Sequence, residues 1–245
     1  MTEVYCGPAA APEALGSAWN LDFAALLLSL VLVAAYVRTG TPRRDRAFWV
    51  ATSIFVLLFI SPFCALTVSL FSARAAHHVV LVSVVAPLLA LSFPEDGRVR
   101  RRLPLALLVT LHGAILWLWH APAVYEFAVR GALPYWVMQL SLLGSAFVMW
   151  RRILAPQTEI GPALLALLAT VVQMGMLGAL LTFAREALYA PHFTTTLPFG
   201  LTPLADQQLA GLIMWVPAAL PYGIAAALLL AGNLDRGTAQ RVGQR

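Results

Sequence analysis

Long apolar runs separated by short arginine-rich loops recur along this chain and restrict the folds open to it. Of its 245 residues, 60% are hydrophobic and 11% are charged, and the mean hydropathy is +0.80. Soluble domains average about 45–50% apolar and about 25% charged residues, so this composition excludes a soluble fold. The chain is therefore expected to be an integral membrane protein with the lipid bilayer as its solvent.

Seven apolar segments are long enough to be membrane-spanning helices, because a helix of about 20 residues crosses the hydrocarbon core. They cover residues 21–37, 48–71, 79–93, 103–121, 135–153, 162–183 and 207–231. They predict an all-α, polytopic transmembrane bundle of seven helices. We place this membrane domain at residues 21–232, between a short outer tail at residues 1–20 and a cytoplasmic tail at residues 233–245.

The arginines predict the orientation of the bundle. All sixteen basic residues are arginines, and thirteen of them lie in the loops after the first, third, fifth and seventh segments. Because cytoplasmic loops of membrane proteins are enriched in Arg and Lys, the N-terminus is expected outside and the C-terminus in the cytoplasm. This distribution accounts for the net charge of +5, and no nucleic-acid partner is expected.

Prolines and glycines indicate where the helices bend or pack closely. Pro62, Pro87, Pro217 and Pro221 lie within predicted spans, where a proline removes one helical hydrogen bond and kinks the helix. Gly175 and Gly178 favour close helix packing in the sixth span, because they carry no side chain.

Two cysteines, Cys6 and Cys64, lack a C-x-x-C spacing and give no recognisable disulfide framework or zinc motif. Cys64 is expected to be a small buried apolar residue. Cys6, in the outer tail, could bind a metal or pair between chains.

The orientation places four of the five histidines at the outer side. His77 and His78 are predicted to begin the third span, and His192 lies in the long outer loop. His120 ends the fourth span, after Trp117 and Trp119 and before a proline that stops the helix. Tryptophan favours the membrane interface, so this stretch is expected at the outer mouth of the bundle.

Each polar residue singled out in or beside the predicted spans could have a purely structural role instead of a functional one. His120 could be a ligand facing the bundle or a helix-terminal side chain reaching water, and the deeper His112 could simply bond a carbonyl. Asp206 is a good N-cap for the seventh span, with an oxygen for free amides at the helix start. At least one of Gln207 and Gln208 is expected to bond inside the bundle, because an unsatisfied buried amide is costly.

No catalytic motif is present in the sequence: there is no nucleophile elbow, Walker loop, HExxH helix or carboxylate pair. The protein is therefore not expected to be an enzyme.

Four blocks resemble the CtaG-type assembly factors of caa-type cytochrome c oxidases, which are multi-span bacterial membrane proteins. They begin at His78 (HVVLVSVVAPLL), Leu116 (LWLWHAPAVY), Leu188 (LYAPH) and Asp206 (DQQLAGLIMW). The resemblance implies a role in maturing a haem-copper oxidase in the bacterial inner membrane. Oxidase subunits are then the partners, and copper reaching the oxidase from the outer side is the implied cargo.

The candidate site residues come from the matched blocks, except His112, which is a candidate because it is a polar residue at membrane depth. The candidate metal ligands are His78, His120, Asp206, His112 and His192, and the candidate supporting residues are Tyr125, Tyr189, Gln207 and Gln208. Two departures stand out, because family members often carry histidine where this chain has Arg74 and Gln139. These replacements argue against a stable multi-histidine copper site.

Two further functions stay open from the sequence. A haem-binding membrane protein could use two of the rim histidines, and a small-solute or proton-coupled transporter could use His112 and Asp206. A transporter needs a continuous polar path, yet the inner halves of the predicted spans hold few polar residues, which favours a one-sided site.

Overall fold

The fold was obtained as a computed structural model that describes residues 4–41, 44–94 and 103–242, with side chains to residue 234. Over these ranges the chain is helical and has no strand. The helices are α1 (Phe23–Thr39), α2 (Asp45–Ile60), α3 (Pro62–Ser69), α4 (Phe71–Ser92), α5 (Leu105–His120), α6 (Pro122–Val129), α7 (Ala132–Ile153), α8 (Ile160–Thr182), α9 (Pro203–Trp215) and α10 (Ala219–Val242). Short 3-10 turns lie at Pro12–Ser17, Ala190–His192 and Leu197–Phe199.

Between four and six segments are long and apolar enough to cross a membrane. Four are continuous by this measure: α4, α7, α8 and the stretch Pro203–Leu234, which joins α9 to α10. Two more arise if each bent pair is one span, with α2 and α3 meeting at 54° and α5 and α6 at 77°. The all-helical membrane fold is confirmed, whereas a seventh span would have to be the shorter apolar helix α1 and stays a prediction.

Part of the arginine pattern that predicts the orientation lies outside the described residues. This applies to Arg43, to the arginines of residues 95–102 and to Arg245. The helix α10 continues to Val242, beyond the predicted boundary at residue 232.

The predicted boundaries of the second and third spans were wrong. Residues 48–71 do not form one straight helix, because Ser61 is extended before Pro62 and its hydroxyl accepts a hydrogen bond from the Phe63 amide (3.2 Å). The next helix begins at Phe71 instead of residue 79, so His77 and His78 lie in its second turn. Hydropathy misses this start because the first turns of α4 carry the polar residues Ser72 and Arg74 as well as the two histidines.

Pro87 is accommodated within α4 by a π-helical turn at Leu81–Val85. A proline leaves a carbonyl of the preceding turn without its usual amide partner. The indole Nε1 of Trp150 in α7 donates to the Val82 carbonyl at 2.9 Å. The irregular turn therefore bonds to a neighbouring helix, which supports a packing role for this proline.

The N-terminal tail is tied to the bundle by a disulfide between Cys6 and Cys64. Cys64 is buried as expected, but it pairs with Cys6 within the chain, which the spacing of the two cysteines does not indicate. They are 58 residues apart in sequence with Cα atoms 5.5 Å apart, a proximity that only the tertiary fold creates. Asn20 adds a second tie, since its Nδ2 donates to the Phe59 carbonyl at 3.0 Å.

Helices α8 and α9 approach closely at two glycines, Gly178 and Gly211. A Cβ atom at Gly178 would lie 2.7 Å from the Gly211 carbonyl oxygen, and one at Gly211 would lie 2.5 Å from the Gly178 oxygen. The predicted close packing at Gly178 is confirmed, whereas Gly175 only makes an ordinary contact with Trp215.

Candidate functional site

Asp206, on α9, anchors the start of the neighbouring helix α4. Its carboxylate accepts hydrogen bonds from the backbone amides of Phe71 (2.6 Å) and Ser72 (3.1 Å) and from the Ser72 hydroxyl. It therefore caps α4, whereas its own helix α9 is capped by Thr202, which accepts from the Ala205 amide. The interpretation of Asp206 as an N-cap was right about the bond type and wrong about the helix.

His78 and His120 face each other at the centre of the site, with ring centroids 5.8 Å apart. Both side chains are buried, with 2% and 4% of their surface exposed. Nδ1 of His120 lies 2.7 Å from the Leu116 carbonyl oxygen. Because a carbonyl only accepts, Nδ1 carries the hydrogen and Nε2 holds the lone pair that could bind a metal.

Gln139 lies against His78, with its Nε2 atom 3.3 Å from Nε2 of the imidazole. An amide nitrogen only donates, so this bond occupies the His78 lone pair. His77 points elsewhere and packs against the ring of Phe59, with centroids 4.8 Å apart. As expected for adjacent helical residues, only one of the two histidines faces the site.

An aromatic cluster connects His120 to the loop between α8 and α9. The Tyr189 hydroxyl donates to the His120 carbonyl at 2.7 Å, and the Tyr189 ring stacks on Phe71 at 3.8 Å between centroids. The Tyr125 hydroxyl lies 2.7 Å from Nε2 of His192. His120, Tyr189, Phe71, Tyr125 and His192 thus form one contiguous buried layer.

His192 lies in the loop outside the spans and is nearly buried. Burial lowers the pKa of His192 to about 4, with a smaller contribution from the positive charge of Arg74. The imidazole is therefore neutral at physiological pH, which lets its Nε2 atom accept from the Tyr125 hydroxyl.

Gln207 is buried and holds the loop between α8 and α9 in place. Its Oε1 accepts from the Leu188 amide at 2.7 Å, and its Nε2 donates to the Glu186 carbonyl at 3.2 Å. Gln208 donates to the Ala184 carbonyl at 3.2 Å. The buried Gln207 amide is satisfied, as expected, but both glutamines bond the loop that carries Tyr189 and His192 and not a group inside the bundle.

His112 lies apart from the site. Its Nδ1 atom is 2.9 Å from the hydroxyl of Ser145, which in turn donates to the Leu142 carbonyl. Because the Ser145 hydroxyl hydrogen is used in the bond to Leu142, the hydroxyl oxygen accepts a hydrogen bond from His112. This is the structural alternative foreseen for a buried histidine, satisfied by a side chain in place of a carbonyl.

Comparison with known proteins gives the family. Residues 27–235 match the cytochrome c oxidase caa3 assembly factors (Caa3_CtaG). The chain belongs to this family. No curated protein and no solved structure matched it significantly. The Caa3_CtaG match runs from α1 into α10 and so includes every helix that contributes to the site.

The Caa3_CtaG chain brings two of the five candidate ligands into direct contact. These are His78 and His120. Asp206 instead accepts hydrogen bonds from the first turn of α4. His112 is hydrogen-bonded to Ser145, and His192 is hydrogen-bonded to Tyr125. Among the described residues, no group of three His, Cys, Asp or Glu side chains is arranged to hold a metal ion. The donor set therefore fits a two-imidazole contact and does not fit a closed copper cage.

Two groups in this region were not foreseen from the sequence of the Caa3_CtaG chain. Ser72 bonds Asp206, and Tyr135 packs beside Arg74, whose guanidinium carbon lies 5.1 Å from the ring centroid. Both depend on helices that are distant in sequence. Arg74 could have been singled out from the sequence, because burying an arginine in an apolar span costs free energy unless it faces a partner or a cavity.

Proposed function

We propose that this Caa3_CtaG protein assists the assembly of a haem-copper oxidase at the outer face of the bacterial cytoplasmic membrane. The observation that carries the proposal is the edge-to-face pair of His78 and His120, 5.8 Å apart, beside the capped start of α4. In this proposal α1 is the first of seven spans, the N-terminus is outside and the oxidase subunits are the partners. Turnover of a substrate is not part of the role.

Two independent features support the orientation. The arginine-rich loops alternate with arginine-poor ones, as the positive-inside rule requires. The Cys6–Cys64 disulfide joins the tail to the junction of α2 and α3, and disulfides persist in oxidising compartments such as the periplasm or cell surface. Both features favour an outer location for the end of the bundle that carries His78 and His120.

Copper would be a cargo held briefly by the two imidazoles. Imidazole nitrogen suits copper, and the His120 tautomer offers Nε2. His78 would have to exchange its bond to Gln139 for the metal. A site with two imidazoles and a competing amide favours release, which is what delivery to an oxidase requires.

Metal analysis and absorption spectroscopy of the purified protein test the copper role. Wild type is expected to bind copper, His78→Ala and His120→Ala to lose it, and His112→Ala to keep it. Gln139→His should tighten binding at least tenfold, since it places a third imidazole beside His78. No copper in wild type or in Gln139→His would exclude the two-imidazole contact, and a Soret band would favour the haem alternative.

A scaffold role is the second candidate, and the bonding of the site favours it. Asp206, Tyr189, Gln207 and His192 are engaged with other groups of the chain and so define the shape of the outer end. In this version the shape holds a nascent oxidase subunit. Oxidase maturation that fails in Tyr189→Phe while copper binding stays intact would support the scaffold.

A further inference from the structure

A cavity of about 400 Å³ lies beside the aromatic layer, between α3, α4, α6 and the tail. Its buried lining includes Thr67, Arg74, Tyr125 and His192, and its exposed rim includes Ala9 and Arg130. The cavity is therefore open to solvent at the rim and ends on an arginine. It does not include His78 or His120.

Arg74 is a buried cation that forms no ion pair with any residue that the structure describes. It is 1% exposed, and its Nε and Nη1 atoms have no hydrogen-bond partner among the described residues. Its guanidinium lies over the Tyr135 ring and interacts with the phenol groups of Tyr125 and Tyr135, which carry no negative charge. Burying an unpaired charge costs several kcal/mol, so this position favours an anion.

Within residues 4–41, 44–94 and 103–234, the two carboxylates near the cavity already have partners. Asp206 gives its oxygens to Phe71 and Ser72 at the start of α4. Glu126 pairs with Arg130 at the exposed rim, and this is the one ion pair in the part of the chain that the structure describes. Neither acid neutralises Arg74, which leaves the cavity as the place from which an anion can reach it.

We propose that this cavity binds an organic carboxylate through Arg74. A single buried guanidinium matches a single negative charge, and its planar N–H groups suit the two oxygens of a carboxylate. Apolar side chains such as Val68 and Val129 line the remaining space and would contact the hydrocarbon part of the ligand. The carboxylate belongs either to a free organic acid or to an acidic side chain of a partner protein.

The test uses the full chain in nanodiscs of zwitterionic lipid, with benzoate as the probe and benzamide as its uncharged counterpart. Calorimetry is expected to show saturable binding of benzoate and at least tenfold weaker binding of benzamide. Arg74→Gln should weaken benzoate binding at least tenfold. Arg152→Gln is the matched control, because Arg152 donates to the Thr158 hydroxyl and does not line the cavity, and should change binding less than threefold.

A second variant keeps the test decisive if Arg74→Gln does not fold. Ala9 is exposed at the rim, so Ala9→Trp leaves the core intact, covers the opening and should abolish benzoate binding. Equal affinities for benzoate and benzamide, or benzoate binding unaffected by both variants, would overturn the proposal. These readouts do not involve copper or oxidase maturation, so they are independent of the proposed function.

Comparison of two capped tripeptides with benzoate identifies the source of the carboxylate. Acetyl-Ala-Glu-Ala-amide binding tenfold more tightly than benzoate, with no binding of the Gln peptide, would indicate an acidic side chain of a partner. Benzoate binding more tightly than the Glu peptide would indicate a free organic acid. Both results support the carboxylate site.

Discussion

The carboxylate of Asp206 accepts a hydrogen bond from the Phe71 amide at 2.6 Å, although the two residues are 135 positions apart. This bond fixes the first turn of α4 against α9. His78 lies two turns further along α4, so its position opposite His120 depends on the same anchor. The stretch that begins with Asp206 and resembles the family therefore positions the histidine pair through α4.

Replacing Asp206 by alanine should destabilise the protein more than an ordinary capping change. Losing an N-cap costs about 0.5–2 kcal/mol, and leaving buried amides unsatisfied adds about 1–3 kcal/mol. We expect Asp206→Ala to lower the free energy of unfolding by roughly 2–4 kcal/mol in micelles. Thr202→Ala, which removes the exposed cap of α9, is the control with a loss of about 1 kcal/mol; equal losses would contradict the anchoring role.

Removing the Cys6–Cys64 disulfide should loosen the outer tail. A disulfide that closes a loop of this length contributes roughly 2–4 kcal/mol through the unfolded state. The Cys6→Ser, Cys64→Ser double variant should therefore lose a comparable free energy of unfolding, and reductant should have no further effect on it. Mass spectrometry after alkylation should find no free thiol in unreduced wild type, and two labelled thiols there would show that the pair does not form.

Stability should depend on pH through His192. The folded pKa of about 4 lies below the ordinary value of about 6.5, so the unfolded state binds more protons between these values. This contribution is fully present above about pH 6.5 and is lost as pH falls towards 4, with a size of up to roughly 3 kcal/mol.

Unfolding of wild type and His192→Gln at pH 4.5 and 7 measures this contribution. The variant should show a smaller difference between the two pH values than wild type. Thr194→Gln, at an exposed position in the same loop, is the control and should keep the wild-type difference. An unchanged pH dependence in His192→Gln would mean that His192 is not buried as the structure places it.

A methyl group at Gly211 should disrupt the packing of α8 against α9. The added Cβ atom would meet backbone atoms of Gly178 and Thr182 at 2.5–2.6 Å, and backbone cannot move aside cheaply. We expect Gly211→Ala to lower the thermal midpoint and cost roughly 1–3 kcal/mol. Gly175→Ala is the matched control, since its Cβ would be 3.5 Å from Trp215 and should be tolerated.

Much of the site could be anticipated from sequence because its residues lie in recognisable settings. His120 is marked by the tryptophans before it and the proline after it, and the resemblance added His78 and Asp206. The partners could not be anticipated in the same way. Gln139 meets His78 across 61 residues and Tyr189 meets His120 across 69, and neither separation has a local signature.

The sequence by itself determined that this is a helical membrane protein, because the length of its apolar runs follows from the thickness of the bilayer. The family came from the resemblance of four residue blocks and from the match over residues 27–235. Only the tertiary structure decided where α4 begins, which helix Asp206 caps and that Cys6 meets Cys64. The physical reason is that hydropathy acts along a segment, whereas a hydrogen bond or disulfide depends on which atoms the packed helices bring together. The same packing leaves Arg74 buried beside a cavity without a counter-charge among the described residues.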